Sequence, residues 1–150
     1  MKKSKTTENY VRIYTDGSCK GTDGGWAVSM NSGPYSLMMA GAAKNTTNNR
    51  MELVAVIKAF EKLTCPCLVD LYCDSQYVLN GLEKYTYTWE KNGWLNKEGK
   101  PVANSDLWKR LVLFRDLHTI RKHWVKGHDG NEENEVCDSL AKYARDVREY

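Results

Sequence analysis

The sequence predicts an α/β fold, in which helices flank a five-stranded mixed sheet with three antiparallel strands followed by two parallel additions. Three observations indicate this class. Apolar and polar residues alternate in the first 40 or so positions, as they do in half-buried strands, and several later segments repeat apolar residues with the helical period. Strand-like and helical segments then alternate along the rest of the chain. The predicted order is β-β-β-α-β-α-α-β-α.

The first three strands are expected to form an antiparallel meander. Val11, Ile13 and Thr15 define the first strand, which we predict to end in a turn at residues 16–18. A Gly-rich turn at residues 21–25 leads to a second alternation, and a third strand begins at Tyr35 after the turn residues 31–34.

Helices and buried strands follow the meander. Asn and Thr side chains at residues 45–49 can cap a first helix, whose apolar positions recur from Leu53 to Leu63. The remaining predicted elements are a strand at 68–73, a short helix at 75–84, an irregular segment at 85–104, a helix at 105–116, a strand at 120–126 and a helix at 131–148. The last helix carries Val136, Leu140, Tyr143 and Val147 on one side.

Length and composition indicate one soluble domain. The chain has 150 residues, 41% of them hydrophobic, which is enough for a core without disulfides or metal. We expect residues 1–9 to form a disordered basic and polar tail, and residues 10–150 to form the domain. No apolar run approaches a membrane span or a signal peptide, and the five cysteines form no Cys-x-x-Cys pair. We therefore expect a cytoplasmic monomer that needs no protein partner.

Positive charge is concentrated in the second half of the chain. Residues 84–126 contain ten Lys or Arg and four acidic residues, although the whole chain carries only +3. Such a surface is compatible with a polyanionic partner such as nucleic acid, or with an ordinary solvated surface.

Four carboxylates are candidates for one acidic pocket. Asp16 follows the first predicted strand, Glu52 lies in the first turn of the first helix, Asp74 ends the fourth strand, and Asp138 lies in the last helix. Ligand sites in open α/β sheets collect beyond the strand ends. Carboxylates that meet there would bind hard divalent ions such as Mg²⁺, and two such ions can support in-line displacement at a phosphodiester.

Each carboxylate also has a structural interpretation. Asn49 and Glu52 have the spacing of a capping box, Asp74 could cap the following helix, Asp16 suits a turn, and Asp138 could lie on the surface.

The sequence around these carboxylates resembles that of the type 1 ribonuclease H family. Asp16 lies in Thr-Asp-Gly-Ser, Glu52 in Asn-Asn-Arg-Met-Glu-Leu and Asp74 in Tyr-Cys-Asp-Ser-Gln, while Asp138 follows His128 by ten residues. The likeness runs in order from about residue 10 to residue 145.

The resemblance implies a two-metal endonuclease that hydrolyses the RNA strand of RNA–DNA hybrids and leaves 5′-phosphate and 3′-hydroxyl ends. It also implies a role in removing RNA primers and hybrids during replication and repair. Mg²⁺, with Mn²⁺ as an alternative, would be bound by Asp16, Glu52, Asp74 and Asp138. His128 matches the family's flexible-loop histidine, which is thought to assist proton transfer or product release. His118 and His123 match no motif.

Substrate contacts are expected from two regions. Asn48, Asn49 and Gln76 adjoin the carboxylates, and the asparagines could equally cap the helix. Residues 85–104 resemble the family's hybrid-binding protrusion, which would contribute Trp89, Trp94, Lys91, Lys97 and Lys100. The net charge of this segment is only +1, and its tryptophans could instead pack against the protrusion's own helix.

Two rival functions make different predictions. A DNA nuclease or integrase of the same superfamily should have different third and fourth acidic segments and further DNA-binding domains. A silent hybrid-binding module should have lost at least one carboxylate, whereas all four are present here.

The family's Gly-Asn-Pro-Gly-type turn is replaced by residues 21–25, so the asparagine's polar contact with substrate has no counterpart at that position.

Overall fold

A computed structural model describes residues 9–126 and 131–147 of the chain. Most of the predicted tail, residues 1–8, lies outside this range, and Asn9 already belongs to the first strand. The strands are β1 (Asn9–Lys20), β2 (Asp23–Ser32), β3 (Tyr35–Ala43), β4 (Cys67–Cys73) and β5 (Thr119–Trp124). The helices are α1 (Asn48–Phe60), α2 (Gln76–Asn80), α3 (Thr86–Lys91), α4 (Ser105–Leu117) and α5 (Glu132–Val147), and a π-helical turn (Gly81–Tyr85) joins α2 to α3.

The predicted mixed sheet is confirmed. Its strand order is β3-β2-β1-β4-β5. β1, β2 and β3 pair antiparallel, while β4 pairs parallel with both β1 and β5. Parallel strands require crossover connections. The connection between β1 and β4 includes α1, and the connection between β4 and β5 contains α2, α3 and α4.

The two faces of the sheet carry cores of different size. The larger core joins apolar residues of β1, β2 and β4 to α1, α2 and α4, and includes the fully buried side chains of Ile13, Phe60, Leu71 and Trp108. The smaller core lies between the sheet and α5, where Tyr14 and Ala27 meet Cys137 and Ala141. In the part of the chain that the structure describes, no helix is long and apolar enough to cross a membrane.

The prediction that β1 ends at residue 16 is wrong. The antiparallel ladder with β2 continues from Asp16, which faces Ala27, to the pair Lys20 and Asp23. The hairpin turn is therefore only two residues long, and Gly21 adopts a left-handed conformation with φ of 65°. Gly24 and Gly25, which we assigned to the turn, belong to β2.

The prediction of an irregular segment from residue 85 is also wrong in its first part. The chain is helical from Gln76 to Lys91, and the π-helical turn is closed by a hydrogen bond from Thr86 Oγ1 to the Gly81 carbonyl at 2.8 Å. A Cβ atom on Gly81 would lie 2.0 Å from the Trp108 ring, so glycine permits the close packing of this turn on α4. The sequence does not reveal this helix, because tertiary packing, and not a regular helical spacing, decides which of its aromatic side chains are buried.

Most of the apolar stripe of α5 is exposed. Val136, Tyr143 and Val147 are 44%, 67% and 39% exposed. The smaller side chains of Cys137 and Ala141 are buried instead, because α5 approaches β2 so closely that a Cβ atom on Gly25 would lie 2.1 Å from the Ala141 carbonyl oxygen.

His118 links α4 to the start of β4. Its Nδ1 accepts a hydrogen bond from the Cys67 amide at 3.0 Å, and its ring stacks against Phe60 and Phe114. Burial lowers the pKa of this imidazole below its usual value.

We expect His118→Asn to flatten the acid side of the stability profile. Because the pKa of His118 is lower in the folded state, the unfolded chain takes up the proton first, and stability is lost as the pH falls below about 6.5. Asparagine does not titrate but retains an acceptor for the Cys67 amide. Urea unfolding of both proteins between pH ~7 and ~5 measures the two slopes, and parallel slopes would contradict this role.

Candidate active site

The candidate site lies where β1 and β4 separate. Their parallel ladder ends at the pair Tyr14 and Tyr72, and Asp16 and Asp74 each lie two residues further along the chain. β1 remains paired with β2 on its other side, whereas β4 ends at Cys73. A crevice at the carboxyl ends of parallel strands is the usual ligand site of such sheets.

Glu52 reaches this crevice from α1. The helix is capped by Thr47, whose Oγ1 accepts a hydrogen bond from the Arg50 amide at 3.2 Å, so Glu52 is its fifth residue and lies beyond the first turn. The capping box of Asn49 and Glu52 is therefore not formed. A Cβ atom on Gly17 would lie 2.4 Å from the Glu52 nitrogen, which shows how closely α1 approaches β1 next to Asp16.

The structure brings three of the predicted carboxylates within ligand distance of one another. Single oxygen atoms of Asp16, Glu52 and Asp74 all lie within 4.8 Å. Asp74 does not cap the next helix, because the Ser75 hydroxyl accepts the hydrogen bond from the Val78 amide. The backbone of β1, the side of α1 and the end of β4 thus converge on one acidic site.

Asp138 approaches the same site from α5. Its carboxyl is half-buried and forms an ion pair with Lys142 one helical turn later, with 3.1 Å between Oδ2 and Nζ. It also interacts with Asp16: burial and then the charge of Asp74 raise the pKa of Asp16 most, and a hydrogen bond to Asp138 and the charge of Asp138 raise it further. Asp138 on α5 is therefore next to the cluster of three, at the Asp16 side.

The surroundings of Asp16 and Glu52 disfavour ionisation of their carboxyl groups. Asp16 and Glu52 are 2% and 5% exposed, and burial, followed by the charge of Asp74, raises the pKa of Asp16 to about 8. Burial, followed by the charge of Asp16, raises the pKa of Glu52 above its usual range. Among the described residues, Asp16 Oδ2 and Glu52 Oε1 are buried without a hydrogen-bond partner.

These observations fit a divalent cation. Carboxylate oxygens are the ligands preferred by hard ions such as Mg²⁺ and Mn²⁺. A cation would compensate for the repulsion among the carboxylates and would bond to the two buried oxygen atoms that lack partners.

Glu52→Gln is expected to stabilise the metal-free protein. The raised pKa of Glu52 means that folding becomes less favourable as the pH rises above about 4.3, so neutralising this side chain should help most at pH ~8. We expect a gain of about 1–3 kcal/mol in chelator. Thermal unfolding with chelator and with Mg²⁺ measures this gain, and Mg²⁺ should stabilise the variant less than the parent chain.

Glu61→Gln is the matched control for this measurement. Glu61 directly follows α1, is 38% exposed and forms an ion pair with Arg110, so its neutralisation should change stability little. A lower melting temperature of Glu52→Gln in chelator would contradict a repulsive carboxylate cluster.

The polar residues predicted to contact substrate lie at helix starts. Asn48 and Asn49 are exposed in the first turn of α1, and Gln76 is the exposed first residue of α2. Thr47 and Ser75 provide the caps of the two helices, so these three side chains are not needed for capping. They lie within four residues of Glu52 or two of Asp74.

The two tryptophans predicted in the protrusion pack against the core. Trp89 contacts Trp108 edge to face, with ring centroids 5.4 Å apart, and lies 6.2 Å from the Trp94 ring. Lys109 lies over Trp94 at 5.7 Å. Packing, the alternative interpretation of both residues, is therefore observed.

The three predicted lysines lie in or beside a surface loop. Lys91 ends α3, and Lys97 and Lys100 lie in the following loop, where Leu95 and Pro101 form an isolated β-bridge; all three lysines are exposed. Tyr85 and Tyr87, which were not predicted as site residues, are 45% and 48% exposed on this protrusion.

Two residues near the carboxylates were not predicted. Trp124 donates a hydrogen bond from Nε1 to the Asp74 carbonyl at 3.2 Å, and its position depends on the β4–β5 register, which the sequence does not reveal. Lys142 pairs with Asp138 at a spacing of four residues, a signal that the sequence does contain. His128 lies outside the described residues, as does the rest of the segment 127–130.

Comparison with known proteins identifies the family. The ribonuclease H family model matches residues 8–146, nearly the whole chain. The chain belongs to the ribonuclease H family. It is therefore a nuclease and a hydrolase, of the class that cleaves the RNA strand of RNA–DNA hybrids, as the sequence predicted. Enzymes of this family generally depend on divalent metal ions.

Bacterial relatives support the same assignment. The chain is 49% identical over 141 residues to ribonuclease H of Rhodopseudomonas palustris strain TIE-1, covering 93% of this chain and 91% of the relative. It is 50% identical over 137 residues to ribonuclease H of Novosphingobium aromaticivorans, covering 90% of this chain and 96% of the relative.

Solved structures show the same fold. The crystal structure of LC9-RNase H1, a type 1 enzyme with the type 2 active-site motif, matches with a TM-score of 0.84 and 29% identity over 96% of this chain and 75% of that chain. LC11-RNase H1, solved in complex with an RNA/DNA hybrid, matches with a TM-score of 0.68 and 20% identity over 92% of this chain and 98% of that chain. The predicted type 1 assignment is confirmed.

Proposed function

We propose that this chain is an endonuclease that hydrolyses the RNA strand of RNA–DNA hybrids by two-metal-ion catalysis and leaves 5′-phosphate and 3′-hydroxyl ends. The observation that carries the proposal is the convergence of Asp16, Glu52 and Asp74 within 4.8 Å, with Asp138 beside Asp16. The cations would be Mg²⁺, or Mn²⁺ as an alternative.

Each carboxylate has a defined part in this proposal. Asp16 and Glu52 would hold the cations from the buried side of the crevice, and Asp74 and Asp138 would hold them from its more open side. When bound, divalent cations lower the pKa of water and stabilise the negative charge that develops on the phosphate and on the departing oxygen. His128 would assist proton transfer or product release from outside this ligand set.

The substrate would lie along the surface beside the crevice. Asn48, Asn49 and Gln76 are exposed next to Glu52 and Asp74, where amide groups can bond to the phosphate backbone or to 2′-hydroxyl groups. Recognition of the hybrid would then depend on A-like shape and on the 2′-hydroxyl groups. The hybrid bound in the LC11-RNase H1 structure supports this substrate class.

The wider role follows from this activity. The enzyme would remove RNA primers and hybrids during replication and repair, in the cytoplasm and as a monomer that needs no protein partner. The chain from Asn9 onward would form its single catalytic domain, with residues 85–104 as the protrusion that contacts the hybrid.

A cleavage assay tests the proposal directly. End-labelled RNA–DNA hybrid, the matching RNA duplex and the matching DNA duplex are incubated with the full chain in Mg²⁺, in Mn²⁺ and in chelator. We expect internal cleavage of the hybrid's RNA strand in metal only. Cleavage of the DNA duplex would favour a DNA nuclease, and hybrid binding without cleavage would indicate a silent binding module.

The protrusion is expected to contribute charge through its lysines. Each phosphate contact changes the slope of log affinity against log salt by about one unit, so Lys91→Ala with Lys97→Ala should reduce the slope by up to about two. Hybrid binding in chelator, from low to moderate salt, measures the slope. Lys62→Ala, an exposed lysine just after α1, is the control, and an unchanged slope in the double variant would show that these lysines do not contact phosphate.

A further inference from the structure

The exposed face of α5 carries an apolar seam that the proposed catalytic function does not use. Val136, Leu140, Tyr143 and Val147 are spaced by four, three and four residues, the spacing of a helix that packs against another helix. Leu140 is half-buried against the smaller core, and the other three are exposed. We name these four residues the α5 seam.

Shallow, open cavities lie along the α5 seam. One open cavity of about 440 Å³ lies on the outer face of α5 itself and includes Val136, Leu140 and Tyr143. An adjoining one of about 230 Å³ shares Leu140 and Tyr143 and extends to Val147 and the edge strand β3. Near the start of the helix a third cavity places Val136 beside Met38 of β3, which is 48% exposed. The three cavities share lining residues and follow the α5 seam for about three helical turns.

The α5 seam has an acidic border. Glu132 and Glu135 line the cavity of about 440 Å³, and Glu132 and Glu133 line the one near Met38. α5 contains five acidic and two basic residues, a net charge of −3. Both of its basic side chains form ion pairs with acids of the same helix, Lys142 with Asp138 and Arg145 with Asp146.

We propose that the α5 seam is a docking surface for a basic amphipathic helix of a partner protein. The four-three-four spacing suits an apolar helix face, and Lys or Arg side chains beside that face would meet Glu132, Glu133 and Glu135. A second copy of this chain is a poorer occupant, because it would bring an identical acidic border against the first.

Synthetic helices provide the probe. The first peptide has three heptads with Leu at the a and d positions and Lys at e and g, and the matched peptide has Glu in place of Lys. Fluorescence anisotropy with the full chain is expected to give a dissociation constant of roughly 10–100 μM for the Lys peptide and at least tenfold weaker binding of the Glu peptide. Equal binding of both peptides, or none of the Lys peptide, overturns the proposal.

Variants locate the binding surface. Val136→Ser with Tyr143→Ser should weaken binding of the Lys peptide at least tenfold, whereas Leu113→Ser should not, although Leu113 is 71% exposed on α4. Glu132→Lys with Glu135→Lys should reverse the preference between the two peptides. Melting temperatures check that each variant folds, and equal loss of binding in Leu113→Ser would show that the peptide binds non-specifically.

Sedimentation velocity tests the competing occupant. The proposal predicts a monomer for the chain alone and a one-to-one complex with the Lys peptide. A dimer that Val136→Ser with Tyr143→Ser dissociates would assign the α5 seam to a second copy and overturn the proposal. None of these readouts depends on cleavage, so failure here is distinguishable from failure of the proposed nuclease activity.

Discussion

Asp74→Asn is expected to lower the rate of hybrid cleavage by about 10³-fold or more while leaving hybrid binding in chelator nearly unchanged. Asp74 contributes one of the three oxygen atoms that lie within 4.8 Å, and losing metal-dependent charge stabilisation of about 4 kcal/mol corresponds to this factor. The side chain is only half-buried at the end of β4, so the fold should tolerate the amide. Single-turnover cleavage and hybrid titration in chelator give the two quantities.

Asp116→Asn is the matched control for this variant. Asp116 is a 59% exposed carboxylate on α4 that pairs with Arg115, so removing its charge should leave cleavage unchanged. If Asp74→Asn lost hybrid affinity in chelator in proportion to its rate, Asp74 would be supporting the fold or the binding surface and not the reaction.

Gly17→Ala is expected to disrupt the site without altering any of its functional groups. A Cβ atom there would lie 2.4 Å from the Glu52 nitrogen and 2.5 Å from the Met51 carbonyl carbon, and backbone atoms cannot turn aside as a side chain can. The strain should cost about 3 kcal/mol or more of stability. A displacement of α1 by about 1 Å would also separate Glu52 from Asp16 and lower the cleavage rate by about 10²-fold.

Gly33→Ala is the control that distinguishes the steric clash at Gly17 from the effect of replacing a glycine in general. Gly33 lies in the turn between β2 and β3 with nothing within 4 Å of its Cβ position, although its φ is +59°. We therefore expect a stability loss of about 1 kcal/mol from backbone strain and full activity. Urea unfolding and single-turnover cleavage compare the two variants, and full activity of Gly17→Ala would show that α1 can move without disturbing the site.

Local sequence patterns were sufficient for the fold class and for most element positions. Alternation along β1 to β3 and the helical period of α1, α4 and α5 arise from neighbouring residues of one chain segment, so they can be recognised without knowing the partner. The four motifs around the carboxylates likewise identified the family and the residues that the structure brings together.

Tertiary structure decided the features that depend on contacts between distant segments. The predicted end of β1 was wrong because the end is set by pairing with β2. Helix α3 was not predicted because the π-helical turn that leads into it depends on the packing of Gly81 against Trp108. The buried face of α5 is formed by its small residues Cys137 and Ala141, since Gly25 lets them approach the sheet.

The sequence by itself therefore determined the α/β class, the family and the identity of the acidic residues, because each can be recognised from patterns and motifs of neighbouring residues. Only the tertiary structure decided that Trp89 and Trp94 pack inward, that Trp124 bonds to the Asp74 carbonyl and that the α5 seam stays exposed. The physical reason is that burial is a property of two surfaces in contact. A periodic sequence pattern describes the surface of one segment only. Which surface of another segment packs against it depends on how closely the two approach, and here glycines in the strands permit that close approach.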